Sequence, residues 1–275
     1  MSGITTADVA KLRKLTGAGI MDCKNALTEA NGDIDKAIEL IRERGKAIAT
    51  KRASREAGEG AGLAKVSEDG THGAMIVLNC ETDFVAKNQN FLGVANKILD
   101  HALAAKPANL DALKETTLDN RKVDDFVTEF SGITGEKVEL SFYDQVDAPM
   151  VFPYIHQGNK LATLVGFNKK TDMQVAKDVA MQVAAMSPVS IDKDDVPEDV
   201  RQKEFEIGRE QARLEGKPEN MLDKIAEGKL NKFFKESTLL NQEFIKDNKM
   251  TIRQYLQGVD KDLKVVAFKR VSLNI

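Results

Sequence analysis

The stretch in which residue type and spacing most invite a chemical reading is Asn79-Cys80-Glu81-Thr82-Asp83-Phe84-Val85-Ala86-Lys87-Asn88. It follows a strand-like apolar run, Ala74 to Leu78, and precedes a helical pattern that begins near Phe91. Its acids, amides and threonine have the side-chain chemistry of a turning loop. Phe84 and Val85 interrupt that pattern, since an aromatic ring and a β-branched side chain contribute most when buried. Two readings stay open from the residues alone. Phe84 folds back as a plug beneath its own loop, or it is held ready to enter a pocket on another protein, as interface hot-spot aromatics do. The second reading is recognition chemistry, with no bond made or broken.

No other constellation competes with it. The two thiols, Cys23 and Cys80, are far apart, and His72, His101 and His156 supply no zinc-ligand spacing beside them. Both thiols are expected to be idle in a reducing compartment. His72 and His156 lie in turn-like segments with no nucleophile nearby in sequence. There is no nucleophile elbow, no glycine-rich phosphate loop after a strand and no His-x-x-x-His pair. Gly17-Ala18-Gly19 follows a helix and lacks the lysine–hydroxyl pair of a P-loop. It reads as an interhelical turn with Ile20 and Met21 exposed at its end. No catalytic residue, metal or cofactor is expected.

Composition points the same way. The 275 residues are 42% hydrophobic and only 5% aromatic, without Trp, so the core must be built from Ala, Val, Ile, Leu and Met. Charged residues make up 30% but nearly cancel, to a net −3. A nucleic-acid binder shows a basic excess, and direct nucleic-acid binding is not expected here. Lys46, Lys51, Arg52 and Arg55 lack an interleaved aromatic and read as a solvated helix face. The segment Met1 to Asp8 has no charged start leading into an apolar stretch, and no run approaches the roughly 20 residues that span a bilayer. The expectation is a cytoplasmic protein with no membrane partner.

The elements that must position these residues fall into an α+β order. Residues 1–45 read as a three-helix module. Thr5 or Thr6 caps a helix carrying Val9, Leu12 and Leu15; a second runs from Met21 to Ala30; Asp33 caps a third that ends at Gly45. Residues 46–62 read as a linker, helical in its first half. Core subdomain one, 63–148, has a hairpin from Leu63 to Ser67 and Ala74 to Asn79, then a helix stopped by Pro107. A helix from Val123 to Phe130, ending near Gly132, and a strand from Glu136 to Tyr143 with Val138, Leu140 and Phe142 on one face complete it. Core subdomain two, 149–275, repeats the order: strands Val151 to Ile155 and Leu161 to Phe167, helix Met173 to Met186 before Pro188, helix Thr251 to Leu256, strand Leu263 to Leu273. The spacing from Val94-Ala95 to Pro107 matches that from Val175-Ala176 to Pro188. A duplicated core is therefore expected, with antiparallel sheets each covered on one face by helices. Its halves differ by the Thr82 to Asn88 segment in the first and an inserted helical hairpin, about 189–248, in the second. The outgoing arm of that hairpin is too polar to pack on many sides and reads as a projecting coiled coil, with Phe233 and Phe234 anchoring its base.

The ordered segments Leu12-Arg13-Lys14-Leu15-Thr16-Gly17-Ala18-Gly19-Ile20-Met21-Asp22-Cys23-Lys24-Asn25-Ala26-Leu27, Ala30-Asn31-Gly32-Asp33 and Asn79 to Asn88 resemble the signature segments of the bacterial elongation factor Ts family. The resemblance covers essentially the whole chain and implies a ubiquitin-associated-like N-terminal module before the duplicated core. It further implies a guanine nucleotide exchange factor, not an enzyme, whose partner is the GTPase elongation factor Tu in its GDP-bound and nucleotide-free forms. By the same resemblance, Thr82, Asp83, Phe84 and Val85 match the segment that displaces the partner's magnesium. Arg13, Ile20 and Met21 match contacts to its GTPase domain, and His156 matches a contact to another of its domains. Some family members continue past the last strand into a C-terminal helix that also grips the GTPase; this sequence stops at Ile275, and that contact is expected to be absent. The alternative from another class is a ubiquitin-associated-like adaptor or scaffold without exchange activity.

Overall fold

The computed structural model describes residues 4–273. The outermost residues of the expected 1–45 and 149–275 units therefore lie outside the described residues. The chain opens with α1 (Thr6–Thr16), where Thr5 and Asp8 form a reciprocal capping box. Gly17, at φ 75°, ends it. After α2 (Ile20–Glu29), Asn31 and Gly32 turn the chain at positive φ, and Asp33 caps α3 (Ile34–Arg52) by accepting from the amides of Asp35 and Lys36. Leu12, Cys23, Ala26, Leu27 and Ala37 are fully buried between these three helices. Leu15, expected on the same face as Leu12, is 59% exposed. Successive three-residue steps drift by about 60° around a helix, and two of them carry Leu15 out of the core.

The first half of the core runs β1 (Glu59–Val66), β2 (His72–Cys80), α4 (Asp83–Ala86), α5 (Gln89–Ala105), α6 (Leu110–Glu115), β3 (Thr117–Leu118), β4 (Arg121–Lys122), α7 (Val123–Thr134) and β5 (Glu139–Asp147). The second half runs β6 (Met150–Ile155), β7 (Leu161–Phe167), α8 (Met173–Met186), α9 (Glu198–Leu214), α10 (Leu222–Ser237), β8 (Glu243–Phe244), β9 (Asp247–Thr251), α11 (Ile252–Val259) and β10 (Val265–Ser272). The sheets are antiparallel with orders β1-β2-β5 and β10-β7-β6, so in each the last strand pairs with the second strand of the hairpin. The ribbons β3–β4 and β8–β9 are too short to show a period in sequence.

Helices cover only one face of each sheet; the other faces pack on one another. Along β2, Ala74, Ile76, Leu78 and Cys80 bury against α5 and α7, while Met75 packs with Val151 and Leu164 of the second sheet. A strand buried on both faces reads as an unbroken apolar run, which is what Ala74 to Leu78 is. Two glycines set the spacing of the sheets. A Cβ at Gly73 would stand 2.8 Å from Val151 Cγ1, and one at Gly166 would stand 2.9 Å from Ala148 Cβ. In β5 the expected alternation fails. A bulge between Leu140 and Phe142 leaves Leu140 and Tyr143 facing the helices and turns Phe142 to the space between the sheets.

Two further glycines are interior to helices although the sequence makes them look like stops. α3 continues past Gly45 to Arg52, and α7 continues past Gly132 to close at Gly135. The reason is a backbone-to-backbone crossing of the two helices: a Cβ on Gly132 would lie 2.2 Å from Gly45 Cα. Arg42 to Glu129 (3.3 Å) and Lys46 to Asp125 (3.1 Å) flank the crossing. The expected linker at 46–62 is thus helix to Arg52 and strand from Glu59. The three-helix module is docked on the core through α3.

The inserted hairpin is present as α9 and α10, with Gly208, Ala212, Leu222 and Ala226 buried where they meet. Its two ends are joined where Val189 N donates to Ser237 O (2.8 Å) and Leu239 N to Ser190 O (3.0 Å). Phe233 and Phe234 do not join the buried core of the second half; Phe234 is covered by the Arg201 guanidinium, 5.3 Å from its ring. They finish the arm itself.

Candidate functional site

The Thr82 to Asn88 segment is not a loop but a single helical turn, α4, followed at once by α5. Thr82 is its cap, extended at φ −124° and ψ 153°, with its hydroxyl accepting from Val85 N at 3.4 Å. One turn of helix does not persist unaided in water. It is held from inside by Ala86, which is buried, and Val85, which packs on the first core. Adjacent helical residues point about 100° apart, so seating Val85 turns Phe84 outward. Phe84 is 84% exposed, the most exposed large apolar side chain among the described residues. That overturns the plug reading: the ring covers nothing of its own chain.

Asp83, the residue before Phe84, accepts from Lys87 Nζ at 2.7 Å. This bond holds its carboxyl below the ordinary range, and the carboxylate is ion-paired with Lys87 at neutral pH. The root of the turn is fixed by polar contacts from far along the chain. The Glu136 carboxylate accepts from Glu81 N (3.1 Å), Thr82 N (3.0 Å) and the Thr82 hydroxyl (2.6 Å). The Glu81 carboxylate accepts from Lys137 N (2.6 Å) and from Arg52 at 2.9 and 2.8 Å. The Lys137 amide is the main cause of the lowered pKa of Glu81, ahead of Arg52. Sequence inspection missed Arg52, Glu81 and Glu136 as a group because nothing in the pattern links residues this far apart. Cys80 donates its thiol to Thr82 O at 3.2 Å, and burial pushes that thiol up to about 12.

The β6–β7 turn abuts α4. Gly158 and Asn159 turn it at positive φ, and Asn159 O accepts from Gly62 N at 2.7 Å. A cleft of about 330 Å³ lies between Asp83, Ala86 and Lys87 on one side and Gly158, Asn159 and Lys160 on the other. His156 is exposed on this turn, its Nδ1 2.8 Å from the Tyr154 hydroxyl. The structure thus brings the His156 turn and the Phe84 turn to one edge of the core.

Arg13, Ile20 and Met21 are exposed on the three-helix module, Ile20 to 57% and Met21 to 63%. Arg13 and Ile20 line a shallow groove of about 690 Å³ with Ile4, Val9 and Ala10, and Lys14 and Lys24 also border it. None of the groove's lining residues belongs to α4, so this is a second surface. Among the described residues no cluster of three or more His, Cys, Asp or Glu is arranged to hold a metal ion. No helix among them is long and apolar enough to cross a membrane. What α4 offers is an exposed aromatic ring on a turn whose root is held by hydrogen bonds to Glu136.

Comparison with known proteins gives a consistent result. The family model described as "Elongation factor TS" matches residues 81–274. An elongation factor Ts of Amoebophilus asiaticus (strain 5a2) is 55% identical over 271 residues, covering 98% of each chain. One from Azobacteroides pseudotrichonymphae genomovar. CFP2 is 50% identical over 273 residues, covering 99% of each. A third, from Porphyromonas gingivalis (strain ATCC BAA-308 / W83), is 50% identical over 272 residues and 98% of each.

Proposed function

The chain belongs to the elongation factor Ts family, and from that premise we propose that it is a guanine nucleotide exchange factor for the translational GTPase elongation factor Tu. It makes and breaks no covalent bond. The observation that carries the proposal is the 84% exposure of Phe84 on a turn anchored at both its apolar and polar sides. A protein that binds the nucleotide-free GTPase more tightly than the nucleotide-bound one must weaken nucleotide binding by the same factor. Magnesium joins the nucleotide's phosphates to the GTPase, so disturbing its ligands speeds nucleotide departure. In this scheme Phe84, with Asp83, Thr82 and Val85 around it, wedges into the GTPase and shifts the elements that hold magnesium and the phosphate-binding loop. The Arg13–Ile20–Met21 surface grips the GTPase domain, and His156 meets a further domain of the same partner. Neither membrane nor nucleic acid enters the scheme.

The finer architecture fits this reading. The first three helices are read as a ubiquitin-associated-like module and the core as two copies of one unit. The repeated order of hairpin, helix, two-stranded ribbon, helix and strand supports the duplication. So do the ends of α5 and α8, which close at left-handed Lys106 (φ 48°) and Ser187 (φ 45°) immediately before Pro107 and Pro188. The deciding experiment is stopped-flow release of labelled GDP from elongation factor Tu. Losing a central aromatic anchor costs about 2–4 kcal/mol, equivalent to roughly 30- to 1000-fold, and Phe84→Ala is expected to lose stimulation within that range. Undiminished stimulation by the variant would remove the wedge.

A further inference from the structure

We infer that Glu136 is the positioning residue of the exchange site, aiming Phe84 through its hydrogen bonds to Glu81 and Thr82. The inference rests on the exchange reading above and adds a residue that need not touch the partner. An exposed ring has no packing of its own to set its direction, and α4 is a single turn. Val85 and Ala86 seat one side of the turn on the core, and the polar root sets how the turn, and with it the ring, is aimed.

Glu136 occupies that root with both carboxylate oxygens. Oε2 accepts from Glu81 N and Thr82 N at 3.1 and 3.0 Å, and Oε1 accepts from the Thr82 hydroxyl at 2.6 Å. That hydroxyl in turn accepts from Val85 N, so one oxygen passes the position of Glu136 into the first turn of α4. The clasp is reciprocal, because the Glu81 carboxylate accepts from Lys137 N at 2.6 Å. Glu136 is itself fixed by its place: it follows Gly135, the cap of α7, and its amide donates to the Thr134 hydroxyl at 3.3 Å. Ionised acceptors bind amides more strongly than neutral ones do, and a glutamine cannot accept at its amide nitrogen. The last residue of α3, Arg52, closes the arrangement on Glu81. The turn is thereby referenced to α7, to β5 and to the three-helix module at once.

The test is a double-mutant cycle on accelerated GDP release from elongation factor Tu, using Glu136→Gln, Phe84→Ala and the pair together. Glu136→Gln is expected to lower the maximal stimulated rate about tenfold, the scale of a lost charge-assisted hydrogen bond. On the Phe84→Ala background the same change should matter by less than about twofold, since groups acting as one unit are not additive. Amide exchange at Thr82 and Val85 should quicken in Glu136→Gln while the amides of β2 keep their protection. Should Glu136→Gln not fold, Thr82→Val removes the hydroxyl relay and is expected to show the same non-additivity. A wild-type rate in Glu136→Gln, or an equal loss with and without Phe84, overturns the inference. If the wild-type chain itself fails to accelerate release, the exchange reading falls and takes with it any role of Glu136 in exchange. Amide exchange then still reports whether Glu136 holds the turn.

Discussion

Within α4, Val85 and Ala86 face the core and Phe84 faces solvent, so the residues that stabilise the turn are not the one proposed to bind. Phe84→Ala removes no buried contact and is expected to change unfolding free energy by no more than about 0.5 kcal/mol, measured by urea denaturation. A larger loss would mean that the ring supports its own fold. Cys80 lies on the other side of this division. Its thiol is buried and raised from 9.0 to about 12, first by desolvation and then by the nearby Glu136 charge. The folded chain thus keeps the proton that an unfolded chain would release. The contribution is fully present below pH 9 and is lost as pH rises from about 9 to about 12. Tyr143 and Tyr255, both raised to about 12 by burial, act in the same direction from 10.0 upward. Native protein at neutral pH should leave Cys80 unmodified by a thiol reagent, and denatured protein should react at that site. Rapid native labelling would contradict the burial described.

Helices report the same lesson through glycine. Intrinsic propensity favours Ala over Gly in a helix interior by about 1 kcal/mol, so the sign of a Gly→Ala change depends on what the new methyl meets. At Gly93 in α5 a Cβ would meet nothing within 4 Å. Gly93→Ala is expected to stabilise by up to about 1 kcal/mol. At Gly132 in α7 it would meet Gly45 Cα at 2.2 Å, backbone that cannot swing aside. Gly132→Ala should therefore destabilise by about 1–3 kcal/mol, the range for overpacking, and loosen the docking of α3. Thermal unfolding of the two variants side by side checks both signs. Because α3 ends on Arg52 and Arg52 holds Glu81, loosening the crossing should also slow exchange.

At the level of the whole molecule, the proposed exchange function asks two surfaces separated in sequence to act on one partner. The three-helix module presents Arg13, Ile20 and Met21, and one edge of the core presents Phe84 and His156. The α3–α7 crossing fixes their relation, so under the exchange proposal the partner would meet a preformed arrangement and little ordering would be lost on binding. An exchange factor must prefer the nucleotide-free state. Capture of elongation factor Tu is expected to strengthen on adding EDTA and to weaken with excess GDP and magnesium. An adaptor would hold the GTPase equally in both conditions, and that result would favour the alternative reading.

By itself the sequence determined what local periodicity and turn chemistry can fix. The Asn31-Gly32 stop, the Met173–Met186 helix, the Leu161–Phe167 strand and the helical hairpin lie where their patterns put them. It also marked Phe84 as anomalous, because an aromatic among acids and amides conflicts with its setting. What it left open was the direction of the ring, since exposure depends on which neighbour the core accepts. Tertiary structure decided that Val85 turns inward and Phe84 outward. It also decided that Gly45 and Gly132 mark a crossing and not two ends, that a bulge reverses Phe142, and that Glu136 clasps Thr82 from 54 residues away. Each of these depends on a contact between segments remote in the chain, and no local pattern encodes a partner that only folding brings near.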